Sequence, residues 1–233
     1  MCASGWSRCG KPVTHRPHDL LWLADAASLV CDDALPAWAS SAWLAQAPLV
    51  VRRALPRAAH LLPVGLRGRA RHQRCAAWLP AAQVQRAVSP EAVLHGWQRD
   101  GGAQRAAQRG LPLPAALQAL DELARAWHAL PLAWGVTGSV GFTLASGIAV
   151  LRDSSDLDLL VRTPAATDAP LLRALAPALQ RCAARVDVQV ETPVGAFALL
   201  EWLRTGGAVL LKTDHGPLLS DDAWRPVTPP ATP

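Results

Sequence analysis

Hydrophobic residues recur with two different periods in the second half of the chain, which predicts helices that alternate with strands. Apolar residues at helical spacing over 117–130 predict an amphipathic helix. Shorter apolar or alternating runs predict strands at 132–136, 157–161 and 186–191, with a glycine turn after the first strand and a helix at about 170–183 after the second.

The end of this half continues the pattern. We expect a helix over 196–204, closed by the two glycines that follow it, and then a strand at 208–212. Pro177 falls inside the predicted helix at 170–183, where a proline costs on the order of 3 kcal/mol, so that helix is expected to be kinked or split.

The first half has fewer periodic segments. Pro36 suits the first turn of a helix running to about residue 46, and Ser89 with Pro90 reads as the cap and first position of another helix. Short apolar runs bounded by breakers predict strands at 49–51 and 61–64, the second of which leads through glycines into an arginine-rich stretch.

Glycine and proline concentrate at 110–114, which makes 110–116 the predicted hinge between two domains. The expected organisation is a flexible N-terminus (1–16), a smaller basic α+β domain (17–112), an α/β (α+β) catalytic domain (113–225) and a disordered Pro/Thr tail (226–233). The catalytic domain is expected to hold a mixed sheet flanked by helices.

Charge is distributed unevenly within the net charge of +5. Residues 1–116 contain 14 Lys and Arg against 6 Asp and Glu, whereas residues 117–233 contain 9 against 12. No acidic residue lies between Asp33 and Glu91, so this stretch should attract anions. Its arginines are Arg52, Arg53, Arg57, Arg67, Arg69, Arg71, Arg74 and Arg86.

Composition excludes several classes of protein. No apolar run approaches the roughly 20 residues that span a bilayer, and we expect a cytoplasmic protein without a membrane or nucleic-acid partner. The five cysteines are scattered without a Cys-x-x-Cys pair, which predicts neither disulfides nor zinc. The histidines lack ligand spacing, and the sequence gives none of them, His18 included, a catalytic role.

Three carboxylates carry the chemistry that the sequence predicts. Asp156 and Asp158 lie two residues apart in an apolar strand, so both point to one face. Like charges held this close are costly unless a cation lies between them, and Mg²⁺ prefers such oxygen ligands. Asp187 repeats the design on a later strand, although Glu191 on the same face competes with it as a third ligand.

A phosphate cradle is predicted upstream of the carboxylates. Gly138 and Ser139 follow the strand at 132–136, where a tight turn can direct backbone N–H groups and a hydroxyl at a phosphate. A phosphate cradle combined with a metal site indicates phosphoryl chemistry.

These residues resemble the polymerase-beta-type nucleotidyltransferase superfamily, in which Gly-Ser precedes Asp-x-Asp on a strand and a third acid follows on a neighbouring strand. The segment between Ser139 and Asp156 is longer than is usual there, which implies a small insertion. More narrowly, four segments resemble the malonate decarboxylase holo-acyl-carrier-protein synthases, also called phosphoribosyl-dephospho-CoA transferases: residues 17–23, 64–68, 137–142 and 155–160.

The resemblance implies a reaction. Such enzymes attach a phosphoribosyl-dephospho-CoA group, taken from triphosphoribosyl-dephospho-CoA, to a serine of a small acyl carrier protein, and pyrophosphate leaves. It also implies roles: Asp156, Asp158 and Asp187 as catalytic Mg²⁺ ligands, and Gly138 and Ser139 as triphosphate binders. The arginines that bind either the phosphates or the acidic carrier would be Arg67, Arg69, Arg71 and Arg74.

Two alternatives remain open on the sequence. The same scaffold can move AMP or another nucleotide to a small molecule, a protein or RNA. A non-catalytic module that binds an acidic partner is the other alternative, against which the intact carboxylates and the Gly-Ser turn argue. Lys212 and His215, which follow the last predicted strand, either reach a phosphate or form an ordinary turn.

Overall fold

A computed structural model describes residues 15–108 and 113–226. Most of both predicted terminal segments and the first part of the predicted hinge therefore lie outside the described residues. The described residues form two sheets, each accompanied by helices, which agrees with the predicted α+β class.

The first sheet contains five antiparallel strands in the order β4-β3-β2-β1-β5. The strands are β1 (Leu20–Leu23), β2 (Leu49–Val51), β3 (Leu61–Arg67), β4 (Arg74–Pro80) and β5 (Val84–Val88). The predicted strands at 49–51 and 61–64 are confirmed, and β3 continues through Gly65 to Arg67. Strands β1, β4 and β5 were not predicted.

The second sheet contains six strands in the order β11-β10-β9-β8-β7-β6. The strands are β6 (Ala133–Val136), β7 (Leu157–Arg162), β8 (Val186–Thr192), β9 (Gly195–Ala198), β10 (Val209–Thr213) and β11 (Gly216–Ser220). Only β7 and β8 pair in parallel, and the neighbouring pairs are antiparallel. The predicted strands β6, β7, β8 and β10 are confirmed, and β11 was missed.

Seven helices surround the sheets in the described part of the chain. They are α1 (Ser41–Leu44), α2 (Pro90–Arg99), α3 (Gly102–Gln108), α4 (Ala115–Ala126), α5 (Gly138–Ser146), α6 (Ala169–Leu179) and α7 (Leu199–Thr205). The predicted start of α2 is confirmed, because the Ser89 hydroxyl accepts a hydrogen bond from the Ala92 amide and Pro90 is the first helical residue.

Three helix predictions need correction. The helix predicted from Pro36 begins only at Ser41, where the hydroxyl of Ser40 caps it by accepting from the Trp43 amide. The helix containing Pro177 is a single helix, not a split one, and it ends two residues later at Leu179 instead of reaching 183. Residues 196–198 belong to β9, so the helix predicted over 196–204 begins at Leu199.

Two hydrophobic cores meet at β1 and α5. Leu20 packs in the core of the second sheet, and its neighbour Leu21 packs in that of the first, because alternate residues of a strand face opposite sides. In α5, Val140 joins the second-sheet core while Phe142 joins the first. The two sheets are therefore packed together through shared elements, and helix α2 also rests on β6 and α5.

No helix in the described parts of the chain is both long and apolar enough to cross a membrane.

Candidate active site

The parallel pairing of β7 with β8 brings two of the predicted carboxylates side by side. Asp158 and Asp187 are register partners, and both line a cavity of about 470 Å³. Leu157 and Leu159, on the other face of β7, are fully buried. The alternation predicted from sequence thus holds for Asp158 and Asp187, which lie on the cavity side, and for the leucines, which lie in the core; Asp156, predicted on the same face of the strand, precedes β7 and does not line the cavity.

Gly138 allows Asp158 its position in the cavity. Its φ of +61° is unfavourable for residues with a side chain, and a Cβ built there would lie 1.9 Å from the Asp158 Oδ2 atom. The Thr137 amide donates to the Asp158 carbonyl at 2.9 Å, which holds the turn against β7. Glycine is therefore required here, where the strand β6 passes into helix α5.

Asp158 lies in an environment that opposes its ionisation. Burial, followed by the charges of Asp187 and Asp156, raises its pKa above the ordinary value of 3.8, and Arg67 and Arg71 counteract this only in part. A carboxyl group so affected gains from any cation that enters the cavity. Asp156, which immediately precedes β7, contributes to this field but does not line the cavity.

The four candidate arginines divide into two pairs. Arg67 and Arg74 line the cavity, whereas Arg69 and Arg71 are exposed in and beside the turn between β3 and β4. The Arg67 guanidinium is buried against Phe142, 5.3 Å from the ring centroid, and burial lowers its pKa to about 10. Arg69 instead lies over the Trp43 ring, at 5.1 Å.

Of the two other candidate phosphate binders, Lys212 lines the cavity and Ser139 does not. Ser139 lies in the first turn of α5, half-buried and outside the cavity lining. Lys212, which the sequence left undecided, extends from β10 into the cavity wall.

Glu191, the competing third ligand, belongs to a buried ion-pair network and not to the cavity. It is buried and pairs with Arg162, its register partner on β7, and with Arg53. Arg162 also contacts Glu91 at 2.5 Å and Asp19 at 3.8 Å. Because two guanidinium groups already neutralise Glu191, the sequence-based alternative to Asp187 is not supported by the structure.

His18 is a cavity residue to which sequence reasoning gave no role. Its backbone φ of 72° is positive, a conformation that costs on the order of 1 kcal/mol for a residue with a side chain, and no other non-glycine residue among those described adopts it. Its imidazole lines the cavity and contacts the Gln189 amide at 2.7 Å. The available signal was its place in the family-like segment 17–23, directly before β1.

The chemistry of the carboxylates fits magnesium in part. No group of three or more His, Cys, Asp or Glu side chains within residues 15–108 and 113–226 is close enough to hold a metal on its own. Mg²⁺, however, is usually held by one or two carboxylates together with phosphate oxygens and water. Asp158 and Asp187 supply such a pair, and Arg185 contacts the second at 3.1 Å.

Family models cover most of the chain. The model for the phosphoribosyl-dephospho-CoA transferase MdcG N-terminal domain matches residues 16–90, and that for the MdcG C-terminal domain matches residues 103–223. The chain belongs to the MdcG family of phosphoribosyl-dephospho-CoA transferases. Membership of this family makes it a transferase, as the sequence predicted, and the alternative of a non-catalytic module is not supported.

Curated relatives agree with the family assignment. A phosphoribosyl-dephospho-CoA transferase from Azotobacter vinelandii is 43% identical over 91% of this chain and 95% of its own. Those of Klebsiella pneumoniae and Pseudomonas aeruginosa are 42% and 44% identical, over 91% and 90% of this chain and 97% and 93% of their own. No solved structure matches. The narrower of the two resemblances is thereby confirmed, while the superfamily relation stays a prediction.

Proposed function

We propose that this chain transfers the phosphoribosyl-dephospho-CoA group from triphosphoribosyl-dephospho-CoA to a serine of the apo acyl carrier protein of malonate decarboxylase. The serine oxygen bonds to the phosphorus nearest the ribose, the bond from that phosphorus to the next phosphate breaks, and pyrophosphate leaves. The observation that carries the proposal is the pairing of Asp158 with Asp187 in a cavity that Arg67 and Arg74 also line.

The two arginines suit the triphosphate. Arg67 is buried, and its pKa of about 10 keeps it charged at neutral pH. A cation held in a poorly hydrated wall interacts strongly with a phosphate and needs little reorganisation as charge moves to the leaving pyrophosphate. The turn at Gly138 brings backbone close to the same region, since only the absence of a Cβ leaves room for Asp158.

The carboxylates are assigned metal binding and proton acceptance in this proposal. Asp158 and Asp187 would hold Mg²⁺, with Asp156 adding negative charge nearby, and a bound Mg²⁺ would neutralise phosphate oxygens. Asp187 accepts the proton of the serine hydroxyl. Its side chain is 43% exposed, so a serine delivered from outside the cavity can reach it.

Exposed charge supports an acidic carrier. Arg69 and Arg71 lie outside the cavity lining, in and beside the turn between β3 and β4, and the surrounding stretch from residue 34 to residue 90 contains no acidic residue. An acidic protein that docks there would be attracted electrostatically and oriented by the charges at the contact.

Intact-mass measurement of the carrier tests the proposal. The protein is incubated with triphosphoribosyl-dephospho-CoA, Mg²⁺ and the apo carrier, and parallel samples contain ATP in place of the donor or EDTA in place of Mg²⁺. We expect a mass gain equal to the donor minus pyrophosphate, with none in the EDTA sample. Transfer from ATP alone would point to the nucleotidyltransferase alternative, and no gain from any donor would contradict the proposal.

A further inference from the structure

One wall of the cavity carries a hydrogen-bonded chain that plays no part in the proposed chemistry. Lys212 Nζ lies 3.4 Å from Gln189 Oε1, and Gln189 Nε2 lies 2.7 Å from His18 Nε2. All three residues line the cavity. Gln189 follows Asp187 on the same face of β8 at a distance of two residues, about 7 Å along the strand, so this wall adjoins the catalytic pair.

The direction of the hydrogen bonds in this chain is determined by Lys212. An ammonium group has three donors and no acceptor, so the Gln189 atom that faces it must be the carbonyl oxygen. The Gln189 amide nitrogen then faces His18 and donates to it. His18 Nε2 must therefore be an acceptor, which requires an imidazole without a proton on that nitrogen.

Burial and the surrounding cations keep His18 neutral. Burial is the main cause, and the cations Arg53, Arg162 and Lys212 add to it, so that the pKa of His18 is lowered to about 4. Glu191 and Asp214, which also lie in this region, pair with Arg53, and Asp19 and Glu91 pair with Arg162. A neutral imidazole that accepts through Nε2 carries its proton on Nδ1.

The other ring nitrogen of His18, Nδ1, is then a fixed, uncharged hydrogen-bond donor. Within the described residues, His18 Nδ1 has no hydrogen-bond partner, although the side chain lines the cavity. The residue also holds a positive φ, with its amide donating to the Val51 carbonyl at 2.9 Å, and such backbone strain concentrates at ligand-binding positions.

We propose that His18 is a specificity-determining residue that donates a hydrogen bond from Nδ1 to an uncharged acceptor on the nucleoside portion of triphosphoribosyl-dephospho-CoA. Gln189 and Lys212 act as positioning residues that fix the tautomer of His18. This inference rests on the proposed function. The cavity lining near His18 also includes the apolar residues Leu20 and Val50, which suit an uncharged group better than a phosphate.

The tautomer is measured directly by nitrogen-15 NMR of the histidine side chains in the full-length protein. His18→Asn identifies the signal of His18 by its loss. We expect a neutral imidazole with the proton on Nδ1 throughout pH 5.5 to 8, and we expect Gln189→Leu to populate both tautomers. A His18 signal with the proton on Nε2, or one that titrates near its ordinary pKa of 6.5, would overturn the proposal.

Ligand binding to the same protein tests the role of the donor atom. His18→Gly deletes the imidazole where glycine tolerates the backbone, and His18→Asn retains an N–H donor near the position of Nδ1. We expect His18→Gly to weaken the binding of both triphosphoribosyl-dephospho-CoA and dephospho-CoA by about tenfold. Tripolyphosphate should bind to this variant as tightly as to the wild type, and His18→Asn should recover part of the lost affinity.

The outcomes separate the two proposals. Weaker binding of tripolyphosphate to His18→Gly would show that this wall contacts phosphate, and unchanged binding of the donor would show that His18 contacts no ligand, so either result overturns the subsite alone. Failure of the wild-type protein to bind the donor contradicts the proposed function and the ligand assigned here, while the NMR result still decides the tautomer.

Discussion

At the scale of single residues, Gly138 determines whether Asp158 can occupy the cavity. A methyl group at Gly138 would overlap the Asp158 carboxylate and would also strain the positive φ. We expect Gly138→Ala to reduce the rate of carrier modification at least 100-fold, since small displacements of catalytic groups have effects of that size. Single-turnover labelling of the carrier measures this rate.

Gly147 provides the matched control for that variant. It also has a positive φ, +74°, at the opposite end of α5, and a Cβ there would meet no atom within 4 Å. Gly147→Ala therefore adds a similar backbone strain, about 1 kcal/mol, without touching Asp158. Equal losses of activity in the two variants would contradict the role given to Gly138.

The ionised Asp158 side chain should lower the stability of the native state at neutral pH. Because its pKa is raised above 3.8, the native state holds this proton to higher pH than the unfolded chain, and stability declines as pH rises from about 3.8 through the raised value. We expect Asp158→Asn to be about 1 kcal/mol more stable than the wild type at pH 7, a gain typical of relieved active-site charge, and to lose activity. The gain should vanish below the ordinary pKa.

Urea unfolding at pH 7 and pH 3.5 measures that difference, and Mg²⁺ supplies a second test. Millimolar Mg²⁺ should raise the melting temperature of the wild type but not of Asp158→Asn, because a ligand that binds only the native state stabilises it. An Asp158→Asn variant that is less stable than the wild type at pH 7 would contradict the destabilising effect assigned to the Asp158 charge.

The sequence predicted those residues whose signal is local. Asp158 and Asp187 were predicted because each alternates with apolar neighbours on its own strand, and Gly138 because a glycine follows a strand. His18 was missed because its partner Gln189 is 171 positions away, a contact that no local pattern encodes. Glu191 was wrongly considered because nothing near it in sequence reveals its pairing with Arg53.

At the scale of elements, close contact between α2 and β6 depends on a second glycine. A Cβ at Gly135 would lie 2.1 Å from the backbone carbon of Pro90, which cannot move without displacing the helix. We expect Gly135→Ala to destabilise the protein by about 3 kcal/mol, at the upper end for overpacking, in urea unfolding.

Gly96, on α2 itself, is the comparison. A Cβ there would meet only the end of the Arg99 side chain, at 4.0 Å, and alanine is the better helix former. Gly96→Ala should stabilise the protein by about 0.5 kcal/mol. If Gly135→Ala proved as harmless, α2 could not be packed on β6 as described.

Long elements with a strong hydrophobic period were predicted well. A short element was mistaken for part of the element next to it. Helix α4 and strand β8 carry a full period of 3.6 or 2 and were predicted as the right kind of element, although α4 ends at Ala126 and not at the predicted residue 130. Strand β9 has four residues and runs directly into α7, so its Ala-rich sequence was assigned to the helix. Its pairing with β8 and β10 decides its conformation, and that pairing is a tertiary contact.

At the scale of the whole molecule, a buried ion-pair network links the two sheets. Arg162 on β7 lies among Asp19 beside β1, Glu91 on α2 and Glu191 on β8, and all four side chains are less than 20% exposed. Burial opposes the ionisation of Glu91, but hydrogen bonds to Arg162, to its own backbone amide and to Ser89, together with the charge of Arg162, outweigh burial and lower the pKa of Glu91. The network therefore depends on the charge of Arg162.

Removing that charge should destabilise the assembly of the two sheets. We expect Arg162→Met to cost about 3 kcal/mol at pH 7, because carboxylates would remain buried with too little compensating charge. The stabilisation of ionised Glu91 is present above its ordinary pKa of 4.5 and is lost as pH falls through the lowered value, so the deficit should shrink in acid.

Arg99→Met is the control, since Arg99 and its partner Asp100 are 79% and 67% exposed and such pairs contribute little. Urea titrations of both variants at pH 7 and pH 3.5 make the comparison. A deficit for Arg162→Met that did not change with pH would mean that lost packing, and not unpaired charge, causes it.

In the proposed mechanism, the carboxylates paired across β7 and β8 carry out the transfer. Intact-mass analysis of the apo carrier, incubated with donor, Mg²⁺ and either the wild-type chain, Asp158→Asn or Asp187→Asn, tests it most directly. We expect full conversion by the wild type and conversion that is slower by about 100-fold or more by both folded variants. Conversion by either variant at the wild-type rate would contradict it.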